Sequence, residues 1–340
     1  MGLHSRQAER VDLALRPGVD AYAFVCMDDF SISPAAEPPL DDSQIACLRD
    51  AMVPYAVDWR RRQMLFTLHA SRDFAAGHAF LYQAQREQAQ QGVLVSFDAL
   101  DALFPASLPP TGVTFLFSVG RCGSTLAADL LGAVGIPSAS EPGVYEQLVA
   151  GHRRSWLNRR DRARVIRATT RALSAFVGEP LVVKLRAQCT IVAREIAVAT
   201  QGRCAMILRA LEPWAMSTYR AFGQWPDNRP DELAWRYANA VRVFDVLTRA
   251  GRRPQLVWYE DMLRDPATLL QAVGAQAPVS APQQQALAAT YQRDSQEGLS
   301  IGRAGSSARM HADVLQEFKH RWARQAPHRL LHRYGIADRL

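Results

Sequence analysis

From about residue 113 the chain alternates short apolar runs with longer stretches in which apolar positions recur three and four residues apart. The short runs, bounded by turn residues, predict strands, and the periodic stretches predict helices. Strands are expected at 113–119, 181–185, 204–208 and 255–258, with helices beginning near Ser124, Gly143, Asp161, Thr190, Pro213 and Asp231. Strand alternating with helix is the signature of parallel α/β architecture, in which ligands gather beyond the carboxyl ends of the strands.

Residues 1–110 carry a different pattern. Pro34, Pro38 and Pro39 interrupt the early part, and the apolar positions Leu48, Met52, Val53, Met64, Leu65, Phe66, Phe80 and Leu81 predict helices with at most a strand among them. The proline-rich segment 104–112 reads as a connector into the core. The chain therefore divides into a mostly helical extension, 1–110, and an α/β domain, 111–340. The extension is either a cap over a substrate cleft or a plain structural addition.

Composition narrows the function classes. With 340 residues, 48% hydrophobic and 21% charged, the chain can bury a substantial core. No apolar run reaches the length that spans a bilayer, so no membrane segment is expected. The first ten residues show neither the apolar core of a secretory signal nor a Ser or Thr at position six for myristoylation. Five cysteines, Cys26, Cys47, Cys122, Cys189 and Cys204, form no C-x-x-C pair and are odd in number. That argues against a disulfide framework and a zinc site, and predicts a reduced, cytoplasmic protein with no metal.

The formal charge of +7 suits a polyanionic small molecule or a nucleic acid. Arginines concentrate at 153, 154, 159, 160, 162, 164, 167 and 171, around the helical pattern of Val165, Ile166 and Leu173. They read as a solvated helix face, or alternatively as a docking surface for an anionic substrate. No Gly/aromatic RNA-binding signature accompanies them, so nucleic acid is not the expected partner.

The chemistry concentrates in Thr114-Phe-Leu-Phe-Ser-Val-Gly-Arg-Cys-Gly-Ser-Thr-Leu126, an apolar strand feeding a small-residue loop that opens into a helix. Such a loop points backbone N–H groups and the positive helix end at one spot where an anion can sit. In the nucleotide-hydrolase motif a lysine follows the second glycine. Here Ser124 and Thr125 follow Gly123, and the cation comes earlier, at Arg121. Cys122 lies inside the loop, where a helix N-terminus favours thiolate, yet it reads as a small loop residue rather than a nucleophile.

This loop resembles the 5′-phosphosulfate loop of the sulfotransferases, which move a sulfuryl group from phosphoadenosine phosphosulfate (PAPS) to an acceptor. The resemblance rests on four segments in the family's order, over residues 113–320. The second segment is Met206 to Tyr219, where Arg209 ends a strand and Ser217 follows eight residues later, the spacing of the family's 3′-phosphate motif. Arginine offers a phosphate bidentate geometry that lysine lacks. The third is Tyr259-Glu-Asp261 with Asp265-Pro266 after it, which resembles the family's Tyr-Glu-Asp turn. Glu260 and Asp261 are expected to hold the strand-to-helix junction through caps and ion pairs. The fourth, Gly302-Arg-Ala-Gly305, partly matches the Arg-x-Gly loop over the 3′-phosphate, but the tryptophan and lysine that usually follow are replaced by Ser306 to Arg309.

The resemblance implies a P-loop NTPase-like three-layer fold, a central parallel sheet flanked by helices. It implies PAPS as co-substrate, held by Arg121, Cys122, Gly123, Ser124, Thr125, Leu126, Arg209, Ser217 and Arg303, and a hydroxyl-bearing acceptor of unspecified class. Tyrosylprotein and several bacterial sulfotransferases place a glutamate base about as far past the loop cation as Glu141, twenty residues beyond Arg121. Glu141 is therefore the expected general base; its alternatives are pairing with Arg121 or capping the helix near Gly143. Lys184, at a strand end, is expected to stabilise charge on the transferring group, with Arg121 beside it. A P-loop kinase is the nearest alternative enzyme, and a nucleic-acid or protein-binding module built on the arginine-rich helix is the alternative from another class.

Overall fold

A computed structural model of the chain describes residues 8–36, 40–75, 78–105, 112–152, 158–222, 229–275, 280–293 and 310–340. The first elements are β1 (Ala8–Leu15), β2 (Phe30–Pro34), α1 (Asp42–Leu48), β3 (Met52–Asp58), β4 (Gln63–Leu68), α2 (Leu81–Gln88), β5 (Gln91–Ser96) and α3 (Phe97–Leu103). There follow β6 (Val113–Ser118), α4 (Ser124–Ala133), β7 (Ser138–Ser140), α5 (Gly143–His152), α6 (Arg159–Val177), β8 (Leu181–Lys184), α7 (Ala193–Thr200), β9 (Arg203–Leu208) and α8 (Leu211–Phe222). The chain closes with α9 (Pro230–Arg249), β10 (Gln255–Trp258), α10 (Tyr259–Arg264), α11 (Ala267–Ala272), α12 (Ala281–Gln292), α13 (Ala312–Gln325) and α14 (His328–Arg333). The architecture is α/β, with a five-stranded parallel sheet of order β10-β9-β6-β8-β7 flanked by helices. No helix among the described residues is long and apolar enough to cross a membrane.

The N-terminal region corrects the helical expectation for residues 1–110. It holds a five-stranded antiparallel sheet of order β2-β1-β5-β4-β3. The runs Met52–Val57 and Met64–Phe66 mislead because they show no alternation: both are strands covered on both faces, and a continuous apolar run does not distinguish a strand from a buried helix. In β4, Met64 and Phe66 join the core cluster with Phe97 and Leu100 of α3 and Val165 and Ala168 of α6. Thr67 points the other way and accepts a 2.9 Å hydrogen bond from Gln85 of α2. The β3–β4 turn is closed by Asp58, whose Oδ1 accepts from the Arg60 and Arg61 backbone N–H groups at 2.9 Å each.

Two compact units cut across the 1–110 and 111–340 partition. The first is 1–114 with 137–202, and the second is 115–136 with 203–340. In the first, β7 and β8 pair in parallel and end in register, Ser140 opposite Lys184. In the second, β9 and β10 do the same, with Leu208 opposite Trp258. In the first unit this sets Glu141, the residue after β7, beside Lys184, the last residue of β8, and in the second it sets Arg209 and Tyr259, the residues that follow β9 and β10, side by side.

The arginine-rich helix is not simply a solvated face. Among its described arginines, Arg162, Arg164 and Arg171 of α6 are buried. Arg164 donates to Asp101 at 2.7 Å and Asp98 at 2.9 Å, Arg171 donates to the Phe104 carbonyl at 2.6 Å, and Arg162 pairs with Glu195. Arg159 and Arg160 remain exposed, and residues 153 and 154 lie outside the described residues.

Candidate functional site

In the second unit, β6 runs into a loop whose backbone is left-handed at Gly120 (φ +74°), Arg121 (φ +49°) and Gly123 (φ +80°) before α4 begins. Glycine is the N-cap of α4 and offers no side chain to its first-turn N–H groups. The first turn of this ten-residue helix is Ser124, Thr125 and Leu126, all buried. Their N–H groups lie at the positive end of the helix dipole, the standard setting for an anion. Gly123 is required twice over: its φ suits glycine, and a Cβ there would stand 2.4 Å from Tyr259 Cδ2 and 2.6 Å from Cε2.

Arg209 follows β9 directly and meets this loop, its Nη1 donating to the Arg121 carbonyl at 3.2 Å. Its Cζ lies 4.6 Å from the centre of the Tyr259 ring. Among the described residues the guanidinium finds no second acceptor, and its Nε is buried without a hydrogen-bond partner. An arginine carries five N–H donors, so most of this group's capacity is uncommitted. The backbone around it is fixed. Tyr237 donates its hydroxyl to the Arg209 carbonyl at 2.6 Å, and the Ala210 N–H donates to Glu260 Oε1 at 3.1 Å. Glu260 thus braces the start of α8 after β9, not the β10–α10 junction where the sequence places it, and among the described residues α10 has no side-chain cap. Asp261 does related work, accepting from Arg339 at 2.5 and 2.6 Å, and the Arg339 hydrogen bonds hold its carboxyl below the usual carboxylate range.

Helix α8 starts two residues before the expected Pro213, and its buried Trp214 donates Nε1–H to the Gly120 carbonyl at 2.8 Å. Ser217 is half-buried one turn further on and neighbours Trp214 on the helix surface. Cys122 is buried within the loop, consistent with a packing residue. Arg303 lies outside the described residues.

In the first unit Glu141 and Lys184 are in direct contact. Lys184 is 1% exposed, and its Nζ donates to Glu141 Oε1 at 2.5 Å while lying 4.7 Å from the centre of the Phe80 ring. The backbone joins them as well, the Glu141 N–H donating to the Lys184 carbonyl at 2.7 Å. Glu141 is itself left-handed, with φ +56°, a conformation costly for a glutamate. A lysine inside a sheet needs an anion, and here the Glu141 carboxylate supplies it.

A second cation, absent from the sequence expectations, completes the cluster. Arg186 donates Nε–H to Glu141 Oε2 at 2.9 Å, and its Nη1 reaches both oxygens of Glu146 at 2.6 and 2.7 Å. Its Nη2 donates to the Tyr82 hydroxyl at 2.7 Å and the Tyr22 carbonyl at 3.2 Å. Burial pushes the Glu141 carboxyl upward, but the charges of Lys184 and Arg186 outweigh it and hold the group below the ordinary carboxylate range. Glu146, 2% exposed, goes the other way: burial pushes it up to about 7 despite Arg186. Arg186 was legible in principle, since residues two apart in extended chain share a side and Lys184 precedes it by two. Arg186 binds the strap after β1 through the Tyr22 carbonyl, and Arg86 binds the same strap through the carbonyls of Asp20 (3.0 Å), Ala21 (3.4 Å) and Ala23 (3.2 Å).

The structure thus gathers Arg121, Gly123, the first turn of α4 and Arg209 in one unit, and Glu141 with Lys184 in the other. Compared with known proteins, the chain matches no family model and no curated sequence.

Proposed function

We propose that this chain is a PAPS-dependent sulfotransferase with a P-loop-type donor cradle. The observation that carries the reading is the contact between the Arg209 guanidinium and the Arg121 carbonyl, which joins the two sequence segments that the family uses for the two ends of the donor. The uncommitted donors of Arg209 and the side-chain-free N-cap at Gly123 support it.

In this reading the N–H groups of Gly123 to Leu126 and the Arg121 side chain bind the phosphosulfate end, while Arg209 and Ser217 bind the 3′-phosphate. Bound PAPS supplies an activated sulfuryl group. Glu141 accepts the proton of the acceptor hydroxyl, and Lys184 balances charge. A carboxylate held between Lys184 and Arg186 is ionised at neutral pH, as a proton acceptor must be. The arginine-rich helix lends the binding-module reading less support, because Arg162, Arg164 and Arg171 are spent on internal acceptors.

The test is thermal stabilisation by adenosine 3′,5′-bisphosphate compared with ATP plus magnesium. The proposal expects stabilisation by the bisphosphate; stabilisation by ATP and magnesium alone reverses it in favour of a kinase. Transfer from labelled PAPS to a panel of phenolic, sugar and small-metabolite hydroxyls then identifies the acceptor class.

A further inference from the structure

The Glu141 cluster contains more than the base and the lysine that the sequence anticipates. Arg186 has every nitrogen engaged: Nε on Glu141, Nη1 on Glu146, Nη2 on the Tyr82 hydroxyl and the Tyr22 carbonyl. Its Cζ also lies 4.5 Å from the centre of the Tyr82 ring. A guanidinium so bound cannot rotate without breaking several contacts at once. Glu141 sits between two cations on separate oxygens, Lys184 on Oε1 and Arg186 on Oε2.

We propose that Arg186 is the positioning residue for Glu141: by gripping Glu141 and Glu146 with different nitrogens, it fixes where the Glu141 carboxylate points and how readily it takes a proton. The inference rests on reading Glu141 as the proton acceptor, and it gives a role to Arg186 and Glu146. Glu141 also faces Glu146 from α5, Tyr82 from α2 and Cys189 from the turn after Arg186. Two carboxyls and two cations make up the cluster, and Glu146, pushed up to about 7, is only partly ionised near neutral pH. Removing Arg186 leaves Glu141 one cation instead of two, so its proton affinity rises. Removing the Glu146 charge leaves Arg186 to Glu141 alone, so its proton affinity does not rise.

The experiment is a carbon-13 NMR titration of the Glu141 carboxyl in the full chain, assigned by loss of its signal in Glu141→Gln. Arg186→Met is expected to raise the midpoint by about one pH unit or more, and Glu146→Gln to leave it unchanged or lower. Arg186→Lys keeps the charge but lacks the fork that spans two carboxylates, so its midpoint rises by less than in Arg186→Met. If Arg186→Met does not fold, Arg186→Lys decides. A midpoint that stays at the wild-type value in whichever arginine variant folds overturns the proposal, as does an equal rise in Glu146→Gln. A merely structural arginine would lower the melting temperature and leave the midpoint in place. In the transferase assay the acid limb of the rate profile should move with the NMR midpoint. Shifted midpoints in a chain that transfers no sulfuryl group would retain the role of Arg186 and reject the enzyme reading.

Discussion

The Arg209 guanidinium carbon stands 4.6 Å from the centre of the Tyr259 ring, the same ring that closes against Gly123. The pairing follows from strand register. Because Leu208 and Trp258 are opposite one another at the ends of β9 and β10, the next residue of each strand must be a neighbour of the other. One aromatic ring therefore touches both the loop that opens α4 and the arginine after β9.

Replacing Arg209 tests the donor cradle directly. Arg209→Ala is expected to weaken adenosine 3′,5′-bisphosphate roughly 10- to 100-fold by calorimetry, the worth of one or two charge-assisted hydrogen bonds. Arg209→Lys should fall between the two, keeping charge without the fork. Equal affinity in all three proteins removes Arg209 from the site.

Gly123→Ala combines an unfavourable φ with a collision against Tyr259. It should cost about 1–3 kcal/mol in urea unfolding and abolish bisphosphate binding. Tyr259→Ala in the same chain relieves the collision but not the backbone strain, so stability should return only in part.

Glu141→Gln separates binding from transfer. Bisphosphate affinity should stay within about twofold, while sulfuryl transfer falls by roughly 100-fold or more. The variant also strips Lys184 and Arg186 of a shared anion, so its melting temperature should drop. Normal transfer by this variant rejects the base assignment.

The two carboxyls of the cluster give opposite pH signatures. Glu141, held low, contributes stability that is present above the ordinary carboxylate value and lost as pH falls through its folded value. Glu146, pushed up to about 7, takes up a proton in the folded chain before the unfolded one does, so stability falls as pH rises from the ordinary value to about 7. Urea unfolding at about pH 5 and pH 8 should show wild type losing roughly 1–3 kcal/mol more than Glu146→Gln over that interval. Parallel pH dependence in the two proteins contradicts the high value for Glu146.

Helix α6 supplies a control. Arg164→Ala should destabilise by roughly 1–3 kcal/mol, through lost bonds to Asp98 and Asp101, and leave bisphosphate affinity untouched. An effect on affinity without one on stability would restore the docking-surface view of this helix.

The parallel strands were legible because their apolar runs stand between glycine and polar turns, and the ends of β8, β9 and β10 fall within a residue of expectation. The loop at Arg121 and the strand-end position of Arg209 were legible for the same reason. Strand β7 was not, since Ser-Ala-Ser carries one apolar residue and is a strand only through its pairing with β8. Strands β3 and β4 of the N-terminal sheet were missed because strands covered on both faces lose the alternation that marks a strand. Glu146 looks like an ordinary surface charge in sequence, and only folding brings it onto Arg186, which in turn holds Glu141.

The hold on the strap between β1 and β2 has one more consequence. Arg86 and Arg186 grasp it through four successive main-chain carbonyls, Asp20 to Ala23, and every residue type presents the same carbonyl. These bonds place no demand on side-chain identity. What the strap displays outward can therefore be rewritten while those bonds stay as they are, except at Phe24, whose ring lies 5.9 Å from the Arg186 guanidinium carbon.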